Sequence, residues 1–150
     1  MQVRVFYHDK CFDGSCSASL FARFYRERID PNAEFVFSGL VHRAGALFDE
    51  RQFDGDENAI VDFKYSPSPK ITWWFDHHLS AFLTPADQRH YLEGPKDKKF
   101  YDPDFRSCTS WIAKVAHDKF GFDAAPVQPL VRCSALVDPS LFELSASAVT

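Results

Sequence analysis

Short apolar runs that end on an ionisable side chain recur along this chain. They are residues 3–7 ending at His8, residues 59–61 ending at Asp62, and residues 71–75 ending at Asp76. Each run is short and rich in β-branched and aromatic residues, which predicts a buried strand. Residues 34–37 predict one more short strand, and His42 and Arg43 lie just past its end.

Two other segments have the spacing of helices. Over about residues 15–28, apolar residues recur every three to four positions, and charged residues occupy the remaining face. In the second segment, Ser107 is a plausible N-cap and Gly121 a plausible C-terminal stop. The residues expected to face inward there are Trp111, Ile112, Val115 and Ala116.

The remaining segments are less regular. Residues 85–105 combine lysines with Gly94, Pro95 and Pro103, which predicts an exposed loop. Residues 126–137 predict a last, partly helical segment, and it also ends on an acid, Asp138.

Strands and helices that alternate in this way predict an α/β domain with a mostly parallel sheet flanked by helices. Parallel strands of such a sheet put their carboxyl ends on one edge, so we expect the polar side chains that follow them to converge there. With 150 residues, of which 45% are hydrophobic, the chain predicts one domain over residues 1–150.

Composition narrows the classes of partner and the compartment. A net charge of -4 argues against a broad basic face for duplex nucleic acid, so a nucleic-acid partner would be a strand end or a short oligomer. The chain shows neither a secretion signal nor an apolar stretch long enough for a bilayer. Its four cysteines are scattered without C-x-x-C spacing, which favours reduced thiols and a cytoplasmic location.

The side chains that follow the apolar runs are suited to a metal centre. Imidazoles together with several carboxylates favour Mn²⁺, Mg²⁺, Co²⁺ or Fe²⁺ over a structural zinc. Two such ions, bridged about 3.5–4 Å apart, clamp a phosphoryl group and activate a water for in-line attack. Lys10, Arg43 or His78 would then neutralise the charge that develops on the phosphate.

Four short motifs of the chain resemble those of the DHH phosphoesterases, in the order and at the approximate separations found in that family. The motifs are His8-Asp9-Lys10-Cys11-Phe12-Asp13-Gly14, Val61-Asp62-Phe63, Asp76-His77-His78 and Leu136-Val137-Asp138. The resemblance covers nearly the whole chain, and the third motif is the tripeptide that names the family. It implies the three-layer fold of the DHH domain.

The resemblance also implies roles for individual residues. His8 and Cys11 would serve one metal ion, Asp62 would bridge to a second ion, and the second ion would be served by Asp13, His77 and Asp138. Asp76 would be a ligand or an orienting acid, and His78 would contact the scissile phosphate. Family members hydrolyse phosphodiesters or phosphoanhydrides, usually with Mn²⁺, in nucleotides, short single-stranded oligonucleotides and related phosphorylated molecules.

Two departures from the family pattern leave alternatives open. Cys11 stands where the family has an acid, and a sulfur ligand binds only as thiolate. The family's second, C-terminal domain is not part of this sequence, which suggests the N-terminal part of a longer protein or a minimal core. A catalytically silent nucleotide- or metal-binding domain is therefore the alternative to an enzyme, and a regulatory domain that kept only the fold is the third reading.

Overall fold

The computed structural model describes residues 1–42 and 47–136. It contains a sheet of five strands, all parallel, in the order β2-β1-β3-β4-β5. The strands are β1 (Gln2–His8), β2 (Glu34–Leu40), β3 (Glu57–Val61), β4 (Trp73–Asp76) and β5 (Lys99–Tyr101). The α/β prediction is confirmed, and so is each of the four strands expected from the apolar runs.

The order of the strands changes direction at β1. From β1 the chain passes to β2 on one side and then returns to β3 on the other side. In open parallel sheets, the crevice at such a switch point, beyond the carboxyl ends of the strands, is where ligands bind. Here that crevice lies between the ends of β1 and β3.

Both faces of the sheet are buried, as in a three-layer fold. Trp73 and Trp74 alternate along β4 and are each fully buried, on opposite faces. Their indole N–H groups donate to Glu57 Oε1 at 3.0 Å and to the Phe63 carbonyl at 2.9 Å. Both tryptophans therefore belong to the core, and neither ring is available to stack on a nucleobase.

Four α-helices are present in the described part of the chain: α1 (Phe12–Arg28), α2 (Pro85–Glu93), α3 (Cys108–Phe120) and α4 (Gln128–Leu136). Helices α1 and α3 pack on one face, and α2 contributes Tyr91 to the aromatic cluster on the other face. Ser107 caps α3 by accepting from the Ser110 N–H, and Gly121 ends it in the left-handed conformation at φ 68°. Both signals were predicted.

The prediction of an exposed loop over residues 85–105 is wrong. This segment forms α2, which Thr84 caps through the Asp87 N–H, and the strand β5. Helix α2 buries no residue completely, so it lacks the apolar stripe that would have revealed it. β5 has only three residues and is defined by its pairing with β4, where Phe75 is the partner of Phe100.

Residues 125–136 form a short 3₁₀ turn (Ala125–Val127) followed by α4, as the partly helical prediction required. Arg43 and Asp138 lie outside the described residues. The four cysteines are free thiols. Among the described residues, we find no helix with the length and apolar character needed to cross a bilayer.

Candidate functional site

The register of the sheet aligns three of the predicted site residues. Tyr7 pairs with Val61, and Val61 pairs with Phe75. The next residue on each of these strands therefore falls in one row, which is made of His8, Asp62 and Asp76. His77 and His78 follow directly from the end of β4.

Two groups of potential metal ligands meet in this row. One group consists of Asp62, Asp76, His77 and His78, and the other of His8, Cys11 and Asp62; in each, one donor atom per residue lies within 4.8 Å of the others. Asp62 belongs to both groups. A carboxylate shared in this way has an oxygen available to each of two ions.

Asp62 lies at the centre of the site. Its Oδ1 is 3.4 Å from His77 Nε2 and 3.9 Å from His78 Nε2, and its Oδ2 is 3.7 Å from Cys11 Sγ. Its backbone is left-handed, with φ 56°, while its N–H donates to the Phe75 carbonyl at 2.9 Å. Non-glycine residues rarely adopt this conformation, and in proteins such residues cluster at functional sites.

His77 presents one ring nitrogen to the carboxylates. Its Nδ1 lies 2.9 Å from the Phe105 carbonyl, which can only accept, so Nδ1 carries the proton of that hydrogen bond. Nε2 faces Asp62 and Asp13 Oδ2, each at 3.4 Å. An imidazole fixed through one nitrogen and directed by the other is the usual arrangement of a metal-binding histidine.

His78 is oriented by a buried acid. Its Nδ1 lies 2.7 Å from Asp76 Oδ1, and its backbone carbonyl accepts from the Tyr101 hydroxyl at 2.8 Å. Asp76 is fully buried, and its Oδ2 has no hydrogen-bond partner among the described residues. A buried carboxylate oxygen without a partner is costly, and a cation would satisfy it.

Asp13 has a different environment from the other acids. Its carboxylate accepts from the Cys108 N–H at 2.7 Å, the Thr109 N–H at 2.9 Å and the Thr109 hydroxyl at 2.7 Å, at the start of α3. It lies outside both ligand groups, although Oδ2 is within 3.4 Å of His77. In this structure Asp13 connects α1 to α3 and orients His77.

His8 and Cys11 reach the site because α1 begins very close to the end of β1. Gly14 makes this approach possible, since a Cβ at that position would lie 2.1 Å from the His8 carbonyl oxygen. Lys10 lies between them, exposed and in the left-handed conformation with φ 56°. It remains a candidate for contact with a phosphate at the rim.

His42 is a site neighbour that the sequence indicated only weakly. Its ring stacks on Phe63 with centroids 4.6 Å apart, and it meets His8 edge-on at 4.8 Å. The available signal was its position just beyond a strand that is parallel to the others. Arg43, the next residue in the chain, lies outside the described residues.

The electrostatics of the site follow from three buried carboxylates around two imidazoles. Burial raises the pKa of Asp62 to about 6, although the hydrogen bond to His77 acts to lower it. Burial alone would lower the pKa of His77, but hydrogen bonds to Asp13 and Asp62 outweigh it and raise that pKa to about 10. In residues 1–42 and 47–136, no lysine or arginine forms an ion pair with Asp13, Asp62 or Asp76.

This donor set fits divalent ions. Buried carboxylates are stable when paired or when they coordinate a metal, and among the described residues the ion pairs of these three acids are with imidazoles. Comparisons with models of protein families, with curated proteins and with solved structures found no match to this chain. The function is therefore inferred from the geometry of this site.

Proposed function

We propose that this protein is a metal-dependent phosphoesterase, which hydrolyses phosphodiester or phosphoanhydride bonds of a nucleotide, a short oligonucleotide or a related phosphorylated molecule. The observation that carries the proposal is the sharing of Asp62 by two groups of potential metal ligands at the carboxyl edge of the sheet. Divalent ions bound there, most simply Mn²⁺, would polarise the phosphoryl group and lower the pKa of a water.

The residues of the chain divide the remaining tasks. Asp62 holds the two halves of the centre together, because its two oxygens face different ligand groups. His77, fixed by the Phe105 carbonyl, supplies a directed nitrogen donor. These groups come from β-strand ends in the folded protein, so little reorganisation is needed when substrate binds.

His78 is the residue placed to act on the substrate. Asp76 takes one side of its ring, so Nε2 is left to contact a phosphate oxygen or to protonate a leaving group. The Asp76 carboxylate favours the imidazolium form, which raises the pKa of His78 even though burial opposes this. Lys10 adds positive charge at the rim.

The test is turnover of a chromogenic phosphodiester with and without Mn²⁺. Asp62→Asn keeps the size of the side chain and removes the bridging charge, so we expect kcat/KM to fall about a hundredfold or more, beyond the effect typical of groups that only support a ligand. Asp118→Asn makes the same change on the exposed part of α3 and should leave the rate unchanged. Equal rates for wild type and Asp62→Asn would reject the proposal.

The alternative is a silent nucleotide- or metal-binding domain, and Cys11 at a ligand position is the observation that favours it. It predicts binding of Mn²⁺ or of a nucleotide without turnover. Equilibrium dialysis with Mn²⁺, run beside the turnover assay, separates this outcome from a protein that binds no metal.

A further inference from the structure

We propose that the Cys11 thiolate is a metal ligand and that, with His8 and Asp62, it makes one half of the centre select a thiophilic ion such as Zn²⁺, Co²⁺ or Fe²⁺ over Mn²⁺ or Mg²⁺. This inference rests on the proposed function only in that both require a metal centre. A sulfur ligand in one half gives the two halves of the centre different metal selectivity.

The position of Cys11 in the chain argues for a role beyond local structure. It is the N-cap residue of α1, yet its side chain makes no capping hydrogen bond. Serine, threonine, aspartate and asparagine are the residues that cap well, so cysteine is not the residue expected for this position, although the nearby backbone N–H groups of Asp13 and Gly14 favour its thiolate. Its Sγ is directed instead towards Asp62 Oδ2, at 3.7 Å.

The surroundings of the sulfur complete a ligand set. Donor atoms of His8, Cys11 and Asp62 lie within 4.8 Å of one another, so one ion can reach all three. Asp62 is almost fully buried, with 1% of its side chain exposed. A negative charge held at that depth strongly favours a cation beside it.

The other thiols of the chain have different environments. Cys108 is fully buried, and its Sγ donates to the Phe75 carbonyl at 3.4 Å. Cys16 is buried in α1, and Cys133 is exposed on α4. Among the described residues, Cys11 alone of the four belongs to a group of potential metal ligands.

The difference in selectivity follows from ligand softness. Thiolates favour zinc, iron and other borderline or soft ions, whereas carboxylates and water suit Mg²⁺ and Mn²⁺. The group of Asp62, Asp76, His77 and His78 offers only nitrogen and oxygen atoms. On binding, the thiol releases its proton to the solvent as the sulfur–metal bond forms, and no oxidant or reductant is involved.

Co²⁺ is the probe for this ligand, because a sulfur–cobalt bond produces a near-ultraviolet charge-transfer band that nitrogen and oxygen ligands do not. Metal-free protein is titrated with Co²⁺ under reducing, anaerobic conditions, and folding of each variant is checked by circular dichroism. We expect the band in wild type and in the control Cys133→Ser. We expect it to be absent in Cys11→Ser and Cys11→Asp.

A competition experiment tests selectivity separately from the spectrum. In Cys11→Asp the ratio of Cd²⁺ affinity to Mn²⁺ affinity should fall about tenfold or more, since a hard oxygen replaces a soft sulfur. The comparison between variants removes the general preference of proteins for later divalent metals. Unchanged selectivity in folded Cys11→Asp would reject the assignment.

Two spectroscopic results would also overturn it. One is the absence of the band in folded wild type at saturating Co²⁺, which is decisive even if the variants fail to fold. The other is an equal band in folded Cys11→Asp. The cobalt titration does not measure hydrolysis. A protein that shows the Cys11-dependent band, but no turnover in the separate phosphodiester assay, would reject the proposed function and leave this assignment standing.

Discussion

The hydrogen bond between Asp76 and His78, at 2.7 Å, is expected to control the charge of the histidine that we propose contacts the substrate. Burial lowers the pKa of His78, but the hydrogen bond and the charge of Asp76 outweigh it and raise the pKa above its ordinary value. In metal-free Asp76→Asn we therefore expect the His78 pKa to fall. We expect kcat/KM with Mn²⁺ to fall by about ten- to a hundredfold, as when an orienting acid is removed.

Nitrogen-detected NMR titration of the imidazoles checks the first part. Asp118→Asn, which makes the same change on the exposed part of α3, is the control and should leave the His78 titration as in wild type. An unchanged titration of His78 in a folded Asp76→Asn variant would show that Asp76 does not set its protonation.

The protonation state of His77 leads to a second prediction, which is that metal binding releases protons. Its raised pKa, about 10, means that the metal-free protein holds a proton on this imidazole at neutral pH. A metal ion needs the unprotonated nitrogen, so it must displace that proton. Metal affinity should therefore increase as pH rises from about 7 towards 10.

Calorimetry in two buffers that differ in ionisation enthalpy counts the protons released. The experiment is run at about pH 7.5, roughly one unit above the pKa of free histidine. There we expect His77→Gln to release fewer protons per Mn²⁺ than wild type. His117→Gln, on the surface, should release the same number as wild type. Equal release by wild type and His77→Gln would contradict the protonated state inferred for this site.

At the scale of elements, a buried side chain of α1 forms several of the hydrogen bonds that join it to α3. The Asp13 carboxylate accepts two backbone N–H groups and a hydroxyl at the start of α3. Burial acts to raise the pKa of Asp13, but the hydrogen bond to His77 and those at the start of α3 together outweigh it and lower that pKa. Asp13→Ala leaves the buried donors without a partner and should reduce the free energy of unfolding by about 3 kcal/mol.

Urea unfolding of the metal-free protein measures this loss. Asp118→Ala, at the exposed end of α3, removes a solvent-screened ion pair with Lys114 and should change the free energy of unfolding far less than Asp13→Ala does. If Asp13→Ala were no more destabilising than Asp118→Ala, Asp13 would have no structural role in joining the helices.

The sequence predicted those elements that bury a regular apolar face or have a clear end signal. α3 had both, with Ser107 and Gly121 at its ends. α2 and β5 were missed because one buries no residue completely and the other is a three-residue strand paired with β4. α1 starts at Phe12, earlier than expected, since a loop rich in potential ligands does not show where its first helical turn begins.

At the scale of the whole molecule, the rule that parallel strands end on one edge predicted the convergence of His8, Asp62 and Asp76. The register supports that rule, because it pairs the residues immediately before them. The contacts made by Asp13 with α3 and by His42 with Phe63 could not be predicted in the same way. They depend on how helices and loops pack, which periodicity along the chain does not determine.

The loss of folding stability caused by burying charged groups at this edge of the sheet can be measured at Asp62. Burial raises its pKa to about 6, above the usual value of 3.8, so the ionised carboxylate destabilises the folded metal-free protein. By linkage, the protonated Asp62 side chain stabilises the folded protein relative to the ionised one, and this stabilisation is present below pH 3.8 and is lost as pH rises through about 6. Metal-free Asp62→Asn, measured at about pH 8 by urea unfolding, should therefore be more stable than wild type, by about 1–3 kcal/mol.

Added Mn²⁺ should offset or reverse this difference in stability. An ion that binds only the folded state at about a hundred times its dissociation constant adds about 2.7 kcal/mol, and wild type should show a gain of this size. Asp62→Asn, which lacks the bridging charge, should gain much less, whereas Asp118→Asn should behave as wild type does in both conditions. Two results would contradict the view that this carboxylate is kept for binding at the expense of stability. One is an Asp62→Asn variant that is less stable than wild type without metal. The other is an Asp62→Asn variant whose free energy of unfolding rises as much with Mn²⁺ as that of wild type.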